Sequence, residues 1–206
     1  QDRPAKRIDK PKLSIDPALI TMWHSTMPVK RRAWWTEQRH LTDVTIDYFR
    51  LGWDGKRYTI PISYRGVWYA VKRRKSEIAD GLEDKYLSIS GSRVGIFNAD
   101  RLLGCTKVLI CEGEIDAMTL HQAGFDAVCS TGGAGTWRNE WSIHFAHIPQ
   151  VFIAYDNDEV GRKGIAKVKS SLHRANVITL PHWYKDVSEM FDCDNDPVGW
   201  FTEQIS

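Results

Sequence analysis

Residues 107–116 read Lys-Val-Leu-Ile-Cys-Glu-Gly-Glu-Ile-Asp. A short apolar run ends in a carboxylate and a glycine, and a helix-like segment then continues to Gly124. This predicts a buried strand that delivers acids to its carboxyl end. Working outward, Asp126-Ala-Val-Cys-Ser130 predicts a second strand, Val151-Phe-Ile-Ala-Tyr155 a third and Asn176-Val-Ile-Thr-Leu180 a fourth. Between them, Trp137, Trp141, Phe145 and Ile148 fall on one helical face, and Ile165, Val168 and Leu172 line a helix opposite Lys163 and Lys167. Apolar strands alternating with amphipathic helices predict an α/β fold with a parallel sheet and right-handed crossovers.

Open α/β sheets build their sites outside the carboxyl ends of the strands. Glu112 follows the first strand, Asp156 and Asp158 end the third, and Asp186 follows the fourth after a short loop. An extended backbone would point Asp156 and Asp158 to the same side. Converging carboxylates repel one another, a bound hard cation removes that cost, and oxygen-only ligands favour Mg2+ or Mn2+ over zinc or copper. Singly, each acid reads as a surface carboxylate or a helix N-cap; the set, placed after three strand ends, reads as a metal site. Asp116, one helical turn beyond Glu112, either supports that site or is an acid favoured by the helix dipole. Gly113 is expected to give the strand a sharp exit. Residues 131–136, Thr-Gly-Gly-Ala-Gly-Thr, lack P-loop spacing and predict a tight strand-to-helix turn rather than a phosphate cradle.

The first half differs in charge. The 206 residues carry a net +2, but residues 1–104 hold 20 Lys+Arg against 12 Asp+Glu, and residues 105–206 hold 8 against 14. That polarity suits a polyanion on one side and metal ions on the other. Residues 1–12, with Lys6, Arg7, Lys10 and Lys12, read as a basic tail or linker, and residues 16–39 predict two short helices broken at Pro28. Arg57-Tyr-Thr-Ile-Pro-Ile-Ser and Val67-Trp-Tyr-Ala-Val predict a hairpin about Tyr64-Arg-Gly66. On the second of these strands Lys72 and Arg74 share a face opposite Arg73 and Lys75, so only two of the four can enter one groove. Most of the nine tryptophans and the tyrosines are expected in the core, with some available to stack on single-stranded bases.

With 42% hydrophobic and 26% charged residues and a mean hydropathy of −0.40, disorder, collagen and coiled coil are excluded. Four cysteines without Cys-x-x-Cys spacing predict buried reduced thiols rather than a zinc or disulfide framework. No membrane-length apolar run or signal-peptide core is present, so a cytoplasmic protein without membrane partners is expected. The non-methionine start fits an excised or processed piece.

Glu112-Gly-Glu-Ile-Asp116, followed by Asp156-Asn-Asp158-Glu-Val-Gly161-Arg-Lys, resembles the signature of the Toprim domain shared by bacterial-type primases, topoisomerases and some nucleases. Lys185-Asp186-Val-Ser-Glu189 is similar to the Lys-Asp-x-Asn-Glu element of bacteriophage primase-helicases, with Ser188 where asparagine is usual. The resemblance covers residues 107–191. Arg57-Tyr-Thr-Ile-Pro61-Ile62, Gly66-Val-Trp-Tyr-Ala-Val, Asp84-Lys85-Tyr86-Leu87 and Gly95-Ile-Phe-Asn98-Ala resemble the basic N-terminal subdomain of the primase RNA-polymerase domain.

This resemblance implies a Toprim-type parallel sheet flanked by helices and preceded by a basic α+β subdomain. The divisions are a linker or tail at 1–14, the basic subdomain at 15–104 and the catalytic subdomain, with a helical end, at 105–206. The implied activity is that of a DNA primase, a nucleotidyltransferase that makes short RNA primers on single-stranded DNA from ribonucleoside triphosphates during replication, with Mg2+ or Mn2+. Glu112, Asp156 and Asp158 are then catalytic, Glu112, Asp156, Asp158 and Asp186 metal ligands, and Asp116 a supporting acid. Glu112 as ligand or as general base stays open. Arg57, Arg74 and Lys85 would hold template or nucleotide, with Arg73 the alternative to Arg74. Implied partners are a replicative helicase, fused or separate, and a zinc-binding module outside this chain, in the cytoplasm of a bacterium or phage-infected host. The alternatives are a Toprim nuclease, which the β-rich basic half argues against, a topoisomerase, for which no strand-passage domain is evident, and a non-catalytic DNA-binding replication module.

Overall fold

The computed structural model describes residues 15–76 and 84–206, so the basic tail read at 1–14 lies outside the described residues. Helix α1 (Pro17–Ser25) starts where Asp16 accepts from the Ala18 N–H at 2.9 Å, and α2 (Val29–Arg39) follows the break at Pro28. Proline fits these starts because its missing N–H would have no helical partner there. Helix α3 (Asp43–Tyr48), capped by Thr42, leads into an antiparallel sheet ordered β1 (Gly52–Trp53), β2 (Arg57–Tyr64), β3 (Val67–Lys75) and β4 (Tyr86–Ser88). The β2–β3 hairpin turns at Arg65 and Gly66, both with positive φ (50° and 73°), which matches the twist of the flanking strands.

The second sheet is ordered β5 (Ile96–Phe97), β7 (Ala127–Ser130), β6 (Lys107–Cys111), β8 (Gln150–Ala154) and β9 (Asn176–Val177). Its β6, β7, β8 and β9 pairings are parallel, and β5 pairs antiparallel with β7. Helices α4 (Glu114–Gln122) and α5 (Glu159–Lys169) connect β6 to β7 and β8 to β9, and α6 (Val187–Cys193) and α7 (Pro197–Gln204) close the chain. This is the expected α/β architecture. Ile96 and Phe97, read with the first half, complete the second sheet by pairing with Ser130 and Cys129.

The expected fourth strand is shorter than residues 176–180. Only Asn176 and Val177 pair with β8, after which the chain turns inward and buries Ile178 and Leu180. The side-chain amide of Asn157 explains the departure, because it donates to the carbonyls of Leu180, Pro181 and Tyr184 and so diverts the backbone from the ladder. Trp137, Trp141, Phe145 and Ile148 are buried as expected, but only Trp141 and Phe145 lie on a helical segment, the 3-10 helix Asn139–Phe145, with Trp137 before it and Ile148 after it; spacings of three and four serve either helix type over so short a span. Gly113 has ordinary extended dihedrals (φ −123°, ψ 163°), so it does not provide the conformational freedom expected of it; a Cβ there would lie 3.2 Å from Asp116 Oδ2. Residues 131–136 form the expected tight turn, with Thr136 N–H bonded to the Gly133 carbonyl.

One core joins the sheets: Trp35, Ile46, Leu51, Tyr58 and Ile60 pack in the same cluster as Leu109, Met118, Leu120 and Phe201. A second cluster, with Ile110, Val128, Ile153, Trp137 and Phe145, covers the other face of the parallel sheet. The cysteines are free as expected, but only Cys111 and Cys129 are buried, Cys105 being partly buried and Cys193 exposed. Among the described residues no helix is long and apolar enough to cross a membrane.

Candidate active site at the carboxyl ends of the parallel strands

Glu112 and Asp156 emerge from the ends of adjacent strands, β6 and β8. Burial, then the charges of Glu112, Asp116 and Asp186, push the Asp156 carboxyl up to about 8. Burial, then Asp158, raises Glu112, whose Oε2 is buried without a hydrogen-bond partner. Asp116 is buried beneath them, raised to about 6 by burial and then by Asp186, while the Ser188 N–H (3.1 Å) and hydroxyl (2.8 Å) donate to its Oδ1. Asp116 is therefore tied to the 185–189 element through the residue that departs from the phage pattern.

Asp158 and Asp186 are N-caps: Oδ1 of each accepts at 2.8 Å, from the Gly161 and Glu189 N–H respectively. Among the described residues their Oδ2 atoms accept no hydrogen bond, so each acid retains an oxygen for a ligand. Gly161 is a steric necessity, since a Cβ there would stand 2.1 Å from the Asp156 carbonyl oxygen. The α5 N-terminus is thereby pressed against the end of β8.

Among the described residues no group of three or more His, Cys, Asp or Glu is drawn together tightly enough to hold an ion as it stands. The donors nevertheless suit a hard divalent cation. They are all carboxylate oxygens, burial and neighbouring acids raise the proton affinity of Glu112 and Asp156, and Glu112 Oε2 is buried without a partner.

The basic half reaches this site through β3 and the β3–β4 connection. Lys72 and Arg74 share a face as expected: Lys72 Nζ donates to both oxygens of Glu114 (2.8 and 2.7 Å), and the Arg74 guanidinium lies 4.4 Å over the Trp34 ring. Arg73, on the opposite face, pairs with Asp54. Arg57 is 2% exposed and donates to the carbonyls of Arg73 (3.4 Å) and Asp84 (2.9 Å), so it ties β2 to β3 and the chain before β4. Lys85 is exposed, and desolvation, then Arg74, Arg39 and Lys185, lowers its pKa against a smaller opposing effect of Asp186. Arg39 and Arg74 lie over the same Trp34 ring at 5.0 and 4.4 Å, the charges of both and of Lys185 act on Lys85, and Lys185 draws both Glu112 and Asp156 down.

Sequence reasoning did not single out the Lys72–Glu114 pair, Arg39 or Asn157 as site residues. Glu114 is buried by α4 and Lys72 comes from the other sheet, 42 residues away, so no local pattern links them. The available signal was Glu114 itself, an acid on the helix's buried side.

Residues 109–191 match the family model described as Toprim-like. No curated protein sequence matches the chain. The fold is similar to the Aquifex aeolicus primase, zinc-binding and RNA polymerase domains (TM-score 0.75, 18% identity), over 91% of this chain and 58% of that one. This chain therefore spans less than two thirds of that relative. It is also similar to the primase fragment of the bacteriophage T7 primase-helicase (0.68, 20%, 82% of this chain and 73% of that one). The DnaG primase catalytic domain bound to single-stranded DNA is similar too (0.71, 18%, 91% and 76%). Residues 109–191 are a Toprim-like domain, and the described chain has the fold of the bacterial and phage primase catalytic cores.

Proposed function

We propose that the chain is the catalytic domain of a DNA primase, joining ribonucleoside triphosphates into short RNA primers on single-stranded DNA. The observation that carries this reading is the pairing of the acids about Glu112 and Asp156 with a cation cluster from both halves, Arg39, Arg74, Lys85 and Lys185. A polymerase needs both: acids for the reacting phosphate's counterions and cations for the phosphates themselves.

Glu112, Asp156, Asp158 and Asp186 would hold Mg2+ or Mn2+, which supplies charge neutralisation and alignment for attack of a 3′ hydroxyl on an α-phosphate with departure of pyrophosphate. Asp116, held by Ser188, would orient the 185–189 element that carries Asp186. In the general-base role, the raised proton affinity of Glu112 makes it a better acceptor for the 3′ hydroxyl proton than a solvated carboxylate. Lys85 and Arg74 would hold triphosphate or template. Arg57 would act by fixing the strands that carry them, given its carbonyl contacts. A replicative helicase and a zinc-binding module are proposed partners, consistent with the names of the T7 and Aquifex neighbours.

The test is incubation of the chain with single-stranded DNA, labelled ribonucleotides and Mg2+. Oligoribonucleotides are expected. Shortened DNA would make it a nuclease, and binding without product would make it a non-catalytic module.

A further inference from the structure

We propose that Trp183 is a stacking platform for a nucleobase brought to the acidic site. The inference rests on the polymerase reading above. Of the nine tryptophans, all within the described residues, Trp183 alone is largely exposed, at 64%, whereas Trp35, Trp137 and Trp141 are core residues. So large an apolar surface is ordinarily buried.

The indole projects from a turn held in place. Asn157 Nδ2 donates to the carbonyls of Leu180 (3.1 Å), Pro181 (3.1 Å) and Tyr184 (2.8 Å), and Asn157 N–H donates to the Lys185 carbonyl at 2.8 Å. The Tyr184 hydroxyl anchors the far side of the turn on Asp194 at 3.0 Å. Asn157 lies between Asp156 and Asp158, so the turn is positioned by the same backbone that positions the acids. Edge contacts from His182 (centroids 4.6 Å, 73°) and Tyr184 (6.0 Å, 71°) brace the indole and leave it largely open to solvent.

Two residues further on, the same held turn carries the Lys185 cation, and Arg39 and Arg74 of the basic half lie over one Trp34 ring at 5.0 and 4.4 Å. An electropositive track beside an exposed aromatic plane is the combination that binds single strands: the cations take phosphates and the ring takes a base of any sequence. A core-packing role would have buried the indole. A purely electrostatic role would not need one.

The shared ligand chemistry is the flat face of a base, from a template strand or from an incoming ribonucleotide. Two titrations of the whole chain separate these sources: labelled oligo(dT) followed by anisotropy, and ATP followed by calorimetry. Trp183→Ala is expected to weaken one or both by about tenfold, Trp183→Phe to recover most of the loss, and Trp183→Leu to recover little. The salt dependence of oligo(dT) binding should be the same in wild type and Trp183→Ala, because stacking releases no counterions. Unchanged affinity for both ligands in Trp183→Ala, or full recovery with leucine, would overturn the proposal, as would a wild-type chain that binds neither. If the wild type binds oligo(dT) yet makes no primers, the primase reading falls while these titrations still decide Trp183.

Discussion

On β3 and its surroundings several charged side chains have protein partners: Lys72 with Glu114, Arg73 with Asp54, and Arg57 on two carbonyls. At the ends of β6 and β8, Glu112 and Asp156 have mostly other acids for neighbours, and burial, then those charges, raises their pKa values. Charge in the first region holds strands and sheets together, whereas in the second it is offset only in part, by Lys185, as a cation-binding site requires. A net charge of one sign is therefore a poor guide to which residues meet a ligand. The informative property is whether a side chain already has a partner.

The largest test of that contrast is on the acids. Asp156→Asn, Asp158→Asn and Asp186→Asn should each reduce primer synthesis by about a thousandfold or more, as loss of an electrostatic catalytic group does. Asparagine is as good an N-cap as aspartate, so the variants at 158 and 186 remove ligand charge while keeping the caps of α5 and α6. Circular dichroism and melting curves of these two variants should therefore match wild type. Retained synthesis in all three would remove these acids from the site.

Next in size is the ion pair between the sheets. Lys72 and Glu114 side chains are 13% and 2% exposed, so Glu114→Ala leaves a mostly buried ammonium unpaired and should cost about 3–5 kcal/mol in chemical denaturation. The double replacement Lys72→Met with Glu114→Leu should recover most of that. A loss under about 1 kcal/mol in Glu114→Ala would show that the pair is not what joins the two regions.

Arg57 and Lys85 sharpen the contrast within the basic half. Lys85→Ala should weaken single-stranded DNA binding and reduce its log–log salt slope by about 0.7, the value of one phosphate contact. Arg57→Ala should instead lower the melting temperature, because its guanidinium bonds to the carbonyls of Arg73 and Asp84. The opposite assignment of the two effects would reverse the roles given to these residues.

A further test is on pH dependence. Asp156 has a folded pKa of about 8, above the ordinary carboxylate value of about 4, so between those values the folded chain binds more protons than the unfolded one. Stability in chelator should fall as pH rises from about 4 to 8, and Asp156→Asn should flatten that slope. Added Mg2+ should raise the melting temperature more at pH 8 than at pH 5, since a protonated carboxyl is a poor ligand. An equal response at both pH values would show that the acids do not bind the ion.

Periodicity and spacing alone determined the strands β2, β3, β6, β7 and β8, the helices α1, α2, α4 and α5, and the placing of Glu112 and Asp156 at strand ends. Those features are local: an apolar or alternating run of four to nine residues or a capped helix carries its own signal. Tertiary structure alone decided β1, β4 and β5, which at two or three residues exist only because a neighbouring strand pairs with them. It likewise decided that the chain leaves the sheet after Ile178, because the amide that draws it away belongs to Asn157, more than twenty residues earlier. The partnering of charges was equally invisible, for Lys72 and Glu114 meet across 42 residues, and Trp183 could be told from the buried tryptophans only once the rest of the chain had packed. Pairing and burial are properties of two or more segments together, and a pattern read along one segment does not contain them.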